Sequence, residues 1–500
     1  MQSRILDVFR SDKELSRFET ARRPYRNASV RFRRQITMEE RVAALEAAHL
    51  NVFLFRADHI DGCDLLSDSG SGAMTSEQWG QLMLGDESYG SNEGYYEMKE
   101  QITETFGDGW ANRDPHHTNT FLFHQGRAAE NALFSNLRLA LPNRKDGRQW
   151  VIPSNGHFDT TGANVRANDI EARNHFCKEL EGADGGCFFK GNMDLDGLSQ
   201  TLSEDGDRIP LVYLTITNNT GGGQPVSMAN LKAVQQMAAR AGLPFFLDAC
   251  RFAENAWFIK CHEPGYEERS IPEIVHEMFE GADGFTISLK KDGLANMGGA
   301  LMLREGGRFL ERFPSFPDRL IDHQILVEGH PTYGGLNGRD IKAIAEGLRT
   351  VVREDYLAHR IGQVANFGQQ LASRGVPVVE PFGGSAVYLK IDEFFADTGH
   401  KPQDFPGISF TALLLLMGHR LCELGHFAFG RWDGEKENFP EVNYVRAAVP
   451  RLAYADGDLA NCAEAVAKLY AIRHDIPGVD VTFGRDLSLR HFKAHFAFKK

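Results

Sequence analysis

A chain of 500 residues with 42% hydrophobic and 25% charged side chains can bury a large core and a second, smaller one, and lacks the composition of a disordered or fibrous chain. The formal net charge of −13 argues against nucleic acid as the main partner, because phosphate neutralisation needs an excess of Lys and Arg on some face. Seven cysteines, an odd number with no CxxC pair, fit neither a disulfide framework nor a thiolate zinc site and read as reduced thiols of a cytoplasmic protein.

In chain order, the first feature is a basic segment with Arg17, Arg22, Arg23, Arg26, Arg31, Arg33 and Arg34. Interleaved Tyr and Phe suggest an arm over residues 1–60 that docks on protein, packing with a C-terminal domain, while Asp7, Asp12 and Glu14 spoil a transit peptide. His124-Gln125-Gly126-Arg127 reads as a helix start whose backbone and guanidinium could serve an anion. Leu211 to Thr217 has the run of a buried strand, followed by a Gly-rich turn over 218–225. From Ser227, apolar Met228, Leu231, Val234 and Ala238 recur at helical spacing until Gly242 stops the helix. A second strand, Phe245 to Leu247, ends at Asp248; a third, Phe285 to Ile287, ends at Ser288 and the Lys290-Lys291 pair.

This alternation predicts an α/β fold: a large domain over 61–340 with a mainly parallel sheet, then a smaller α/β domain over 341–500. The smaller domain opens on one long helical pattern from Ile341 through Val351 to Leu371. The longest aliphatic stretch, Leu413 to Met417, is far short of the roughly 20 residues that a membrane-spanning helix needs.

Ligands of open parallel sheets gather beyond the carboxyl ends of the strands, where Asp248, Ser288 and Lys291 fall. A lysine with a lowered pKa can form a Schiff base, and a carboxylate can keep a pyridinium nitrogen protonated. On their own these residues are what any α/β protein places at strand ends. No GxxxxGK[ST] loop is present, His276-Glu277 lacks the second histidine of HExxH, and His116-His117 reads as a polar loop, so a catalytic transition metal finds no support.

A series of segments narrows the field. DSGSGAM (68–74), GDESY (85–89), HQGRAAEN (124–131), GGGQPVSMANLKAV (221–234), DACRFAENAWFIK (248–260), SLKKDGLANMGG (288–299) and PTYGGLNGRD (331–340) resemble, in the same order, those of the β-eliminating lyases, the family of tryptophanases and tyrosine phenol-lyases. The resemblance runs from about residue 60 to the C-terminus. It implies pyridoxal-phosphate fold type I, like aspartate aminotransferase, and a homotetramer built as a dimer of dimers.

It also implies roles. Lys291 is the Schiff-base lysine, with Lys290 beside it, and Ser288, Gln125, Gly126 and Arg127 hold the cofactor phosphate. Phe158 stacks on the ring, Asp248 meets its nitrogen, and Asn219 and Arg251 lie near its hydroxyl. Arg446 takes the substrate carboxylate, with Asn219 and Ser67 among the substrate contacts; Ser67 stands where the family has threonine. Tyr89 protonates the leaving group, and Glu87 with the backbone oxygens of Gly70 and Asn296 forms a monovalent-cation (K+) site between subunits.

Three positions resemble tryptophanases rather than phenol-lyases: Asp159 after Phe158, His491 in Leu489-Arg490-His491-Phe492, and Cys422-Glu423-Leu424 where phenol-lyases place an arginine after Met-Glu. The expectation is β-elimination of an aromatic L-amino acid, tryptophan foremost. A phenol-lyase-like reaction, an aminotransferase and a non-catalytic cofactor binder are the alternatives. Departures from the family are Ser71, the loop reading GRAAE, and extra sequence at the N-terminus and around Ala111 to Asn119.

Overall fold

The computed structural model describes residues 23–26, 32–112, 118–179 and 188–500. Arg17, Arg22, Arg31, His116, His117, Cys187 and most of the extra segment near 111–119 lie outside the described residues.

Seven strands form the main sheet: β1 (Thr120–Phe123), β2 (Trp150–Ser154), β3 (Ile170–Asn174), β4 (Val212–Thr215), β5 (Phe245–Asp248), β6 (Gly284–Ser288) and β7 (Gly299–Leu303). Their order is β1-β7-β6-β5-β4-β2-β3. β7 runs antiparallel to both neighbours, and the other pairs are parallel. Strands buried on both faces need apolar side chains at successive positions, which is how 211–217, 245–247 and 285–287 read in the sequence.

Alternation distributes those side chains between two layers. Val212, Leu214, Phe245, Leu247 and Phe285 enter one core with the helices Met228–Arg240 and Phe252–His262. Tyr213, Phe246, Phe121 and Leu301 enter the other, under Leu133, Phe134 and Leu137 of the helix Gly126–Ala140. Ser227 caps Met228–Arg240 by accepting from the amide of Asn230, and Gly242 at φ +69° turns the chain out of it.

The expected long helix from 341 to 371 is two helices, Gly338–Val351 and Glu354–Ala372. Arg353 takes extended backbone angles and pairs with Asp355 at 2.7 Å, and Glu354 and Asp355 supply the acidic first turn that suits a new helix N-terminus. Apolar periodicity continues across that break, which is why the pattern reads as one element.

The C-terminal part holds β8 (Ala386–Lys390), β9 (Cys422–Leu424), a hairpin of β10 (Arg431–Trp432) and β11 (Glu437–Asn438), β12 (Tyr444–Ala448), and a pair of β13 (Val479–Phe483) and β14 (His495–Phe498). β12 lies between β8 and β9, antiparallel to both. Leu45, Leu50, Val52 and Phe55, near the start of the described chain, pack with Phe405, Ile408, Phe427 and Phe496. Asn51 ties the two ends together by donating to the carbonyls of His491 (3.0 Å) and Ala494 (2.8 Å).

Six buried charges lie where the sheet and the C-terminal part meet. Arg451, just past β12, contacts Asp68 (3.0 Å), Glu254 (2.7 Å) and Asp292 (2.7 Å). Arg251 grips Asp68 at 2.8 and 3.1 Å, and Arg360 reaches Glu254 at 3.2 Å. Three guanidinium groups face three carboxylates, each residue at most 4% exposed. Burial alone would raise Asp68, but Arg251 and Arg451 hold its carboxyl well below the usual range. Arg451→Met leaves three buried carboxylates without their shared partner and is expected to cost about 3–5 kcal/mol of folding stability. A urea unfolding midpoint equal to that of the unsubstituted protein would show that the cluster adds nothing net.

Candidate active site

A cavity of about 200 Å³ opens beyond the carboxyl ends of β4, β5 and β6 and is closed from the other side by β9 and β12 residues. Around it stand Gln125, Gly126 and Arg127 after β1, Phe158 and Asp159 after β2, and Asn219 after β4. Asp248 and Arg251 follow from β5, then Ser288, Lys290 and Lys291 from β6. Arg446 on β12, Ser67 and His491 complete the expected set. Of the positions singled out in the sequence, Tyr89, Glu87, Gly70 and Asn296 do not line it.

One end is built for an anion. The helix Gly126–Ala140 starts at the cavity with no side-chain cap, so its N-terminus favours an anion there, and Arg127 and Lys290 add positive charge. Gly126 packs so closely on Ser288 that a Cβ there would come within 2.7 Å of the serine Cβ and 3.1 Å of its amide nitrogen. Glu328 holds Nδ1 of His124 at 2.7 Å, and the side-chain Nε2 of Gln125 lies 3.1 Å from the other ring nitrogen. Burial, with Arg127 and Lys291 nearby, pulls the Lys290 ammonium below its ordinary pKa.

The turn after β6 sets Lys291, whose amide donates to the Ser288 carbonyl at 3.1 Å and whose carbonyl accepts from Leu294 at 2.9 Å. The next residue, Asp292, caps the helix Phe252–His262 by accepting from Ala253 at 2.8 Å. Burial, then the Glu254 charge, push Asp292 up to about 6 against the pull of Arg451. Lys291 is thus anchored to the buried charge cluster through its neighbour.

At the far end Arg446 is buried, 5.9 Å above the Phe158 ring, with one guanidinium nitrogen on the Leu66 carbonyl (3.1 Å) and another on Asn219 (3.4 Å). Its Nε has no protein partner, leaving donor capacity for a carboxylate. Tyr388 orients Asn219 by donating to its carbonyl at 3.0 Å.

Beside Phe158, Asp159 and His491 form a buried pair at 3.4 Å, ion-pair rather than hydrogen-bond geometry, with both imidazole nitrogens unpartnered. Burial would raise Asp159, yet the adjacent imidazole holds it below the usual carboxylate range. Phe53, Leu66, Leu424, Cys422 and Phe492 supply apolar wall.

Tyr89 is 72% exposed, its ring edge-on to His330 and Tyr333. Glu87 pairs with Arg339 at 2.7 Å. Asn296 donates to the carbonyls of Gly70 (3.0 Å) and Gly72 (3.1 Å). Among the described residues no group of three His, Cys, Asp or Glu side chains could hold a metal ion, six cysteines are free with five of them buried, and no helix is long and apolar enough to cross a membrane.

Asp68, Glu130, Glu254, Asp292 and Arg451 escaped the sequence reading as functional positions. Asp68, Glu130, Glu254 and Asp292 lie inside the motif segments 68–74, 124–131, 248–260 and 288–299, which is the signal that could have pointed to them.

Comparison with known proteins agrees with this geometry. The family model for beta-eliminating lyases matches residues 64–465. The chain is 40% identical over 474 residues to a tryptophanase of Hyphomonas neptunium, covering 95% of this chain and 98% of that one. It is 38% identical over 481 residues to a tyrosine phenol-lyase of Fusobacterium nucleatum, with the same coverage. In fold it resembles the aromatic aminotransferase of Pyrococcus horikoshii (TM-score 0.55, 16% identity, 87% of this chain and 99% of that one). An aspartate aminotransferase of Thermotoga maritima is similar at TM-score 0.55 and 14% identity, over 87% and 98%. The anion end, the lysine, the strand-end aspartate and the spare donor of Arg446 fit pyridoxal phosphate and an amino acid. The chain belongs to the β-eliminating lyase family and is a pyridoxal-phosphate-dependent lyase of fold type I.

Proposed function

We propose that the protein splits the Cβ–Cγ bond of L-tryptophan, with water consumed, to give indole, pyruvate and ammonia. The observation that carries this reading is the buried Asp159–His491 pair at the apolar end of the cavity, where Leu424 supplies hydrocarbon instead of a guanidinium. An indole N–H is a donor suited to a buried carboxylate, whereas a phenol oxygen calls for a cation.

Bound pyridoxal phosphate supplies the electron sink for charge left at the substrate Cα. Gln125, Gly126, Arg127, Ser288 and Lys290 hold its phosphate, Asp248 its ring nitrogen, Phe158 one ring face, and Asn219 and Arg251 its hydroxyl side. Arg446 receives the substrate carboxylate, with Asn219 and Ser67 alongside. Lys291 anchors the cofactor and then takes the Cα proton. Asp159 and His491 orient the indole while an acid protonates the ring carbon that carries the side chain.

Tyr89 is that acid. Its exposure in a single chain supports action in the cavity of a second copy, and the nearby exposed Trp79, Met83 and Leu84 support self-association, in our reading as a homotetramer built as a dimer of dimers. Gly70, Glu87 and Asn296 are the proposed K+ ligands at that interface, for which Glu87 must leave Arg339. The protein works in the cytoplasm.

Lys291→Ala is expected to abolish pyruvate release and to remove the label that borohydride fixes on the cofactor-loaded protein. A label transferred to Lys290 with turnover retained would displace the assignment by one residue. Asp159→Thr and His491→Phe are expected to slow tryptophan cleavage by about 10²–10⁴-fold while leaving S-methylcysteine, which needs no ring protonation, nearly untouched. Equal losses on both substrates would reduce the pair to a folding role, and faster phenol than indole release from a panel of aromatic amino acids would reassign the substrate.

A further inference from the structure

Glu130, on the second turn of the helix Gly126–Ala140, lines the same cavity at 5% exposure and has no part in the chemistry above. Its Oε1 accepts a hydrogen bond of 2.6 Å from Thr161 Oγ1. Its Oε2 is buried with no partner in the protein. Asp248 at the end of β5, Lys291 after β6 and Arg127 on its own helix line the same cavity, and their charges act on Glu130, as the charge of Glu130 acts on Tyr213 of β4. Asp248 itself takes only a weak backbone contact, from the Cys250 amide at 3.3 Å.

Two carboxylates in one dry pocket cannot both stay charged at small cost, and a bare buried carboxylate oxygen is costly in its own right. A proton on Oε2 relieves both problems, because the neutral acid carries no repelling charge and costs less to bury. Burial first, then the charge of Asp248, push Glu130 up to about 8, with Thr161, Lys291 and Arg127 pulling the other way.

We propose that Glu130 carries a proton on Oε2, so that the cavity wall it shares with Asp248 holds one negative charge fewer than its carboxyl groups would otherwise give it. The assignment of Asp248 to the cofactor ring nitrogen is taken from the function proposed above. Glu130 is then a positioning residue. Because it is neutral below its midpoint and charged above, alkaline pH adds a negative charge to the cavity wall.

Infrared difference spectra of the full-length protein, without and with pyridoxal phosphate, test this directly. Unsubstituted protein minus Glu130→Gln is expected to show the carbonyl stretch of a protonated acid at about pH 6 that is gone by about pH 10. Asp248→Asn removes the repelling charge and is expected to lower the midpoint, raising the acid constant about tenfold or more, whereas Thr161→Val removes a hydrogen bond to the carboxylate and raises the midpoint. With cofactor bound, Glu130→Gln is expected to keep the visible absorption band but to lose the alkaline inflection in its pH titration.

An absent acid stretch, a midpoint that neither Asp248→Asn nor Thr161→Val moves, or an unchanged visible titration in Glu130→Gln would each overturn the proposal. Should one variant fail to fold, the other two still decide it. A protein that failed to take up pyridoxal phosphate would instead sink the proposed function, while the cofactor-free spectra would still judge Glu130.

Discussion

Arg451 and the three carboxylates around it are the constraint on which the rest of the site depends. Four members of the six-charge cluster are close neighbours, in sequence, of a cavity residue: Asp68 of Ser67, Asp292 of Lys291, Arg251 of Asp248, and Arg451 of Arg446. A buried charge without its partner costs several kcal/mol, so a slip of one residue in any of these segments leaves an ion stranded in the interior. The cluster therefore couples segments that lie nearly 400 residues apart. It does so at the cavity wall, which Asp68 and Arg251 help to form and where small errors of position matter most for chemistry.

In front of that cluster the cavity is divided by polarity. Its anion end combines a helix N-terminus, Arg127, Lys290 and Ser288, all delivered by short turns at strand ends. Its far end is hydrocarbon from Phe53, Leu66, Leu424 and Phe492, interrupted by the Asp159–His491 pair. The two ends therefore differ in kind, one suited to an anion and the other to an apolar group. Phe158, between the two ends and below Arg446, lies where a flat ring would rest.

The far end also shows why the N-terminal segment matters. Phe53 reaches the cavity while Leu50 and Val52 pack into the core shared with Phe405 and Phe496, and Asn51 is bonded to the backbone on either side of Phe492. His491 therefore takes its place from both chain ends at once. Its position is a product of packing and not of local conformation.

Much of the fold was legible from local patterns. The apolar runs at 212–215, 245–248 and 284–288, with Ser227 and Gly242 bracketing one helix, specify their own elements because strand and helix periods and caps act within a few residues. The break at Val352 was not, since apolar spacing continues across it. Asp248, Ser288 and Lys291 could be recognised at strand ends, and the motif series supplied the family. What the chain could not reveal by itself is which charges are buried together. Asp68, Glu130, Glu254, Asp292 and Arg451 carry side chains that usually stay in water, and only the meeting of distant segments removes that water. Nor does sequence position tell that Tyr89 faces outward while Arg446, Asp159 and His491 share one pocket. Local chemistry determined the elements and the kinds of residue at their ends. Tertiary packing alone decided which of those residues meet, because proximity across hundreds of residues is created by burial and has no counterpart in spacing along the chain.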